Sequence, residues 1–389
     1  MENEKKIIKE NWISNFVLIG KPVITDYTFK IDERSEKSAW IYNSMNIGID
    51  CGEEHGTVYA ELMGGYSDER SNIIYVHGKK DDGSDDFSNR YHIDWDDRFN
   101  EDILEDIGDL CFLTVGIEKT DKGKTYYKKF LSAYDAIAYV KEHMTSDMVV
   151  NVRGRLQYSM WNDNVQVRKT IDSIALSSVD DTSKYRANFT QTILIDKDSV
   201  NFKNIDKDKG VIYIDARVLD YLKEYNGHEV KGQFPYNIQL EYPVDLNNQE
   251  QSKKIVDMLF KVKKGITQIT FEGDFIEGGA TVTATLDDVP EDIRMLIKEG
   301  VFDKDAILAK YSSNGSREKR MVLRAPFTKL MGEDKILQMH KFENQYDEDD
   351  LVLDCMMSDG AEFPWDDEDV DANVAESSDA EGLDWLNDL

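Results

Sequence analysis

Residues 151–176 read NVRGRLQYSMWNDNVQVRKTIDSIAL, and the fold turns on how that stretch is read. Val150, Val152, Gly154 and Leu156 fall on one parity, and Asn151, Arg153, Arg155 and Gln157 on the other. Alternation with period 2 is the pattern of a strand with one buried face. The run WNDN (Trp161 to Asn164) supplies turn residues, and VQVRKTIDSIAL reads as the returning strand of a hairpin. The polar face of that hairpin carries Arg153, Arg155 and either Arg168 or Lys169, with Tyr158 and Trp161 toward the tip. Such a face suits something flat and negatively charged.

The formal charge of the chain is -30, which at first argues against a polyanion partner. The distribution removes that objection. Residues 347–389 hold 17 Asp/Glu and no Lys or Arg, which leaves residues 1–346 at only -13. Residues 110–185, around the hairpin, hold 11 Lys/Arg against 9 Asp/Glu. The hairpin thus sits in the locally basic part of an acidic chain.

A length of 389 residues accommodates two ordinary domains plus appendages, and 40% hydrophobic content is enough to build their cores. Cys51, Cys111 and Cys355 are far apart with no CxxC, so neither a disulfide framework nor a zinc ribbon is expected. The N-terminal MENEKKIIKENW lacks the apolar core of a signal peptide, and no apolar run approaches membrane-spanning length. A cytoplasmic protein with no membrane partner and no cofactor is expected.

Working outward, residues 12–29 read as a strand bent at Gly20-Lys21-Pro22, and 39–50 and 57–66 as two more. Residues 81–109 are an acidic insertion with a short helix near its end. Strand patterns return at 110–119 and 124–132. A helix over 132–144 places Ala133, Ile137, Val140 and Met144 on one side, opened by a Ser132/Asp135 capping pair. Strands, one helix, then a closing hairpin is the order of an OB barrel, with its helix before the fourth strand.

A second β unit starts at 186–200 and continues through 210–222, 228–244, 267–278 and 280–286, with a helix at 248–262. It reads as a second OB-like barrel. Two short helices opened by Pro290 and Asp303 follow, then a mildly basic stretch, 317–341. The expected organisation is therefore mainly β: an OB barrel in 1–185, a second OB-like unit with a helical extension in 186–345, and a disordered acidic tail in 346–389. The tail is too acidic to bury a core of its own.

GRLQYSMWNDNVQVRKTIDSIAL (154–176) resembles the closing strands of bacterial-type single-stranded DNA-binding proteins: glycine, a long residue, Leu, polar residues, Trp, a turn and an alternating strand. FLSAYDAIAYVKEHMTSDMVVNVRG (130–154) is similar to the family's helix and fourth strand, and NFVLIGKPV (15–23) to its first strand. An acidic C-terminus ending in apolar residues is typical of that family and of phage helix-destabilising proteins. The resemblance covers the first 180 residues loosely and 130–176 closely. The insertion at 81–109, the second β unit and the ending DWLNDL, in place of an acidic-Pro-Phe ending, depart from the family. They point to a divergent, phage-encoded version and leave the family's tetramer open.

The resemblance implies a non-enzymatic protein that binds single-stranded DNA in replication, recombination or repair. Trp161 would stack a base, and so would Tyr126 or Tyr127, with Tyr158 beside them. Arg153, Arg155, Lys128, Lys129, Arg168 and Lys169 would track phosphates, and Trp385, Leu386 and Leu389 would anchor replication proteins to the tail. Binding without sequence preference needs this mixture of aromatic platforms and cations.

Blander readings stand beside each of these. Trp161 could cap the hairpin against the barrel. Tyr126-Tyr127 and Lys128-Lys129 each alternate across a sheet, so only one member of each pair can face a ligand. Two other functions remain: a replication or recombination mediator that uses the same fold to bind protein, and a metal-dependent nuclease using His92, Asp94, Asp96 and Asp97. The GKT near 123–125 is no phosphate loop, because six residues separate Gly116 from Gly123 where four are required.

Overall fold

The computed structural model describes residues 7–162, 164–278, 289–298, 301–302, 304, 307, 319–331 and 335–353. The chain opens with β1 (Ser14–Val23), β2 (Phe29–Arg34), β3 (Trp40–Asp50) and β4 (Thr57–Ser67). An excursion follows: β5 (Ile73–Lys79), β6 (Asp85–Asp94), the single-turn helix α1 (Glu101–Leu104), β7 (Leu113–Lys119) and β8 (Thr125–Phe130). Helix α2 (Ala133–His143) then leads into the hairpin of β9 (Val150–Trp161) and β10 (Asn164–Leu176).

β1 pairs with β3, β3 with β4, β4 in parallel with β10, β10 with β9, and β9 returns to β1. That closes a five-stranded barrel with its helix before the fourth strand, the OB arrangement. The bend expected at Gly20–Pro22 is a change of partner inside one continuous strand. Up to Gly20, β1 pairs with β9; from Lys21 it pairs with β3. In α2 the Ser132 hydroxyl accepts the Tyr134 amide, as a cap does. Asp135 does not complete a capping box; the Arg98 guanidinium binds it at 2.8 Å. Ile137, Val140 and Met144 face the core with Ala136 and Tyr139, whereas Ala133 is only half buried.

The acidic stretch 81–109 contains more order than its composition suggests. Ten of its residues form β6, which pairs with β5, and Val76, Ile93 and Ile107 form a small core beneath the hairpin. The charged residues occupy its wet side, and that masks the strand in a composition reading.

The second unit comprises β11 (Arg186–Ile195), β12 (Val200–Asp206), β13 (Val211–Tyr225), β14 (His228–Pro243), α3 (Gln249–Phe260), β15 (Ile266–Glu277), α4 (Glu291–Lys298) and β16 (Lys319–Pro326). Its pairings run β11–β13–β14–β16–β15–β11, again with one parallel step, β14 to β16, and one helix before the fourth strand. A small hairpin of β17 (Thr328–Met331) and β18 (Ile336–Met339) follows, and β19 (Lys341–Tyr346) adds to β15. The expected strand at 280–286, most of the helix opened by Asp303, and the tail with Trp385, Leu386 and Leu389 lie outside the described residues.

The two barrels repeat each other in register. Phe16 lies opposite Gly154 and Phe189 opposite Gly273. A Cβ on Gly154 would stand 1.9 Å from the Thr170 carbonyl oxygen and 2.8 Å from the Phe16 ring. On Gly273 it would stand 2.3 Å from the Phe189 ring and 2.5 Å from the Val322 carbonyl oxygen. Both positions therefore exclude any side chain. β1 and β11 pair antiparallel with Phe16 directly opposite Phe189, so a local two-fold passes between the rings and one sheet runs through both barrels. No repeat shows in the sequence because pairing geometry is shared and residue types are not.

Candidate nucleic-acid interface

Side chains directly opposite in a ladder share a face. Asn164 opposes Trp161, Arg168 opposes Gln157, and Thr170 opposes Arg155. Arg153, Arg155, Gln157 and Trp161 of β9 and Arg168 of β10 therefore share the outer face, while Val152, Gly154 and Leu156 turn inward. β10 bulges at Asp172, and beyond the bulge Ser173 lies between Arg153 and Thr114, with Thr114 next to Lys129 of β8. Lys129 thus joins the same face. So does Tyr127, whose ring lies over Gly116, where a Cβ would come within 2.6 Å. Trp161, Tyr127 and Lys129 are each about half exposed.

This geometry resolves the choices that alternation left open. Tyr127 and Lys129 face outward with the arginines. Tyr126 and Lys128 point to the α2 side, where the Lys128 ammonium sits 4.2 Å from the centre of the Tyr139 ring. Of the Arg168 and Lys169 pair, Arg168 is the outward member, and Lys169, expected to contact phosphate, faces inward instead. Lys169 is buried against the second barrel, paired with Glu277 and lying 4.6 Å from the centre of the Phe275 ring. Tyr158, expected beside the stacking rings, is buried as well. Its hydroxyl meets Gln191 at 3.0 Å, its amide donates to Asp220 at 2.7 Å, and burial pushes its phenol far above the usual range. The hairpin's inner face continues past the barrel's end and becomes the seam between barrels, a tertiary fact that local alternation cannot report.

The cations on the outer face are partly engaged. Arg155 holds Asp172 through its Nε (3.0 and 3.1 Å) and Nη2 (2.9 Å). Arg168 is paired with Glu61 across the parallel step. Lys129 and Lys79 share Asp109, at 2.9 and 3.5 Å. Taken together, Arg153, Arg155 and Asp172 leave one positive charge, and Lys79, Lys129 and Asp109 leave another. Tyr59, opposite Gly48 on the outer side of β4, adds an aromatic that the sequence reading passed over. The signal was present, since Val58, Ala60 and Leu62 alternate inward around it.

The second barrel has the same framework with different chemistry. Arg320 binds Glu241 at 2.7 Å, the counterpart of Arg168 and Glu61. At the counterparts of Arg153 and Arg155, however, stand Glu272 and Asp274, and Arg324 occupies the bulge where Asp172 sits in the first barrel. Arg324 reaches Asp274 at 2.8 Å and Glu272 at 3.6 Å, so the ion pair is retained with its polarity reversed. That trio leaves one negative charge. Gln239 and Asp215, hydrogen bonded at 2.9 Å, stand where the first barrel has Tyr59 and Gly48.

The alternative nuclease residues do not assemble: the His92 ring packs edge-on against Tyr75, and among the described residues no three His, Cys, Asp or Glu side chains form a metal-holding group. Burial pushes the Cys51 and Cys111 thiols up, so neither is a ready nucleophile near neutral pH. Cys51, 1% exposed, should stay unlabelled by a maleimide in native buffer and react only on unfolding, as intact-mass measurement would show. Among the described residues no helix is long and apolar enough to cross a membrane.

No family model matches this chain, and no curated protein matches it either. Among solved structures it is similar to two forms of the single-stranded DNA-binding protein from Thermus aquaticus. A deletion mutant covers 83% of this chain and 98% of its own at 8% identity and a TM-score of 0.31. The wild-type protein covers 81% and 94% at 8% identity and a TM-score of 0.30. Likeness at that level carries no argument about what this chain does.

Proposed function

We propose that this chain binds single-stranded DNA without sequence preference and protects it during replication, recombination or repair, and that its acidic tail recruits replication proteins. The observation that carries the reading is the outer face of the first barrel. There Trp161 and Tyr127, two half-exposed aromatics, share one sheet surface with Arg153, Arg155 and Lys129. Aromatic rings receive bases of any identity, and the cations meet the phosphates between them. The same pairing also favours nucleic acid over a purely protein partner, because neither a stacking platform nor a cationic row is required to dock a folded surface.

The direct test is Trp161→Ala in an oligo-dT titration. Affinity should fall by about 1–3 kcal/mol, the range for one stacked base, with the thermal midpoint unmoved, because the ring stands at the hairpin tip. A lowered midpoint with unchanged affinity would make Trp161 a packing residue, and the reading would lose its anchor.

A further inference from the structure

The hairpin of β17 and β18 is a two-stranded sheet separate from the main one. Thr328 opposes Met339 and Leu330 opposes Leu337, so Leu330, Leu337 and Met339 share one face, while Met331 and Ile336 lie on the other. Leu330 is 57% exposed, Ile336 56% and Leu337 64%. A two-stranded hairpin is marginal in water, and apolar side chains grouped on its surface mark a docking site. The root, by contrast, is well held. The Phe327 amide donates to the Thr270 carbonyl at 2.8 Å and the His340 amide to the Phe327 carbonyl at 2.9 Å. The His340 ring meets the Thr270 hydroxyl at 2.8 Å. The second barrel therefore holds out a short arm with an apolar face.

We propose that this arm is the docking site of the chain's own C-terminal segment, residues 354–389. The chemistry is complementary. Residues 347–389 carry 17 carboxylates and no cation, together with Phe363, Trp365, Trp385, Leu386 and Leu389. Of the cations in 317–341, Arg320 and Arg324 are committed to Glu241 and to Asp274 with Glu272, and on the arm Lys329 and Lys335 are balanced by Glu333 and Asp334, so the match is one of apolar groups. Lys329 stands on the arm itself and is close enough to the His340 ring to depress its pKa after burial has done so. Apolar anchors fill an apolar face, which takes both out of water.

Position and reach agree. Tyr346 lies opposite Ile266, four residues along β15 from Thr270 at the arm's root, a spacing of about 13 Å for an extended strand. The described chain ends just beyond, with Leu351 and Leu353 buried. A coil of the length from Leu353 to Trp365 would span about 20 Å, longer than that spacing, so the first anchors have chain enough to reach the arm. Tethering gives an effective concentration on the order of millimolar, so a contact too weak to capture a separate molecule is sufficient here.

The test uses the full-length chain. With Leu337 replaced by p-benzoyl-phenylalanine, irradiation should yield cross-links within one chain to peptides from 354–389. A covalent dimer linked arm to arm would overturn the proposal and make a second copy the occupant; an absence of cross-links would also overturn it. Leu330→Ser with Leu337→Ser alters only exposed positions, so the thermal midpoint should hold. Chymotryptic cleavage after Trp365 and Trp385 should become about five-fold faster or more, as a tethered contact is lost. Equal cleavage rates in parent and variant would refute the docking.

Discussion

Lys169→Met should destabilise the protein by about 3–5 kcal/mol while leaving the oligo-dT affinity of the folded chain unchanged. The substitution leaves Glu277 buried in the seam without its cation. An isolated carboxylate in such a place forfeits hydration and receives nothing in return. Removing both charges, as Lys169→Met with Glu277→Gln, should recover most of the loss, because a buried pair contributes little net stability over a neutral replacement. Urea unfolding of the two single variants and the double variant checks this directly. If Lys169→Met instead flattens the salt dependence of DNA binding and spares stability, Lys169 is a phosphate contact after all and the seam has been misread.

The second large effect should appear as opposite responses to neutralising equivalent positions in the two barrels. Arg153→Gln with Arg155→Gln should make the log–log salt slope shallower by about 1.4, since each lost phosphate contact on a single strand is worth about 0.7. At 50 mM salt that is on the order of a 50-fold weakening. Glu272→Gln with Asp274→Asn, at the counterpart positions, should instead tighten binding, because it removes repulsion and releases Arg324 beside the same continuous sheet. Fluorescence titrations at several salt concentrations read both. Weaker binding from the second-barrel pair would place part of the phosphate track there and dismiss the division between barrels.

That division could not be read locally. Arg153, Arg155, Glu272 and Asp274 all look like ordinary wet-face residues of alternating strands. Only the shared register, with Phe16 against Gly154 and Phe189 against Gly273, shows that they occupy the same place in two copies of one barrel. The acidic β6 misleads in the other direction: its composition reads as a loop, yet tertiary pairing with β5 makes it a strand.

What the sequence by itself determined was local and periodic. Alternation from Val150 to Gln157 specified the strand and its wet face, Asn162 and its neighbours specified the turn, and Ser132 with Ile137 and Val140 specified the helix and its buried side. Those features depend on residues a few positions apart, whose spacing the chain carries explicitly. The tertiary structure decided which barrel face is cationic, which of each neighbouring pair looks outward, and that Tyr158 and Lys169 lie in a seam. Each of those outcomes depends on groups such as Gln191, Asp220 and Glu277, which are 33, 62 and 108 residues away in sequence. Burial is a property of what arrives from elsewhere in the fold, and no local pattern encodes the arrival.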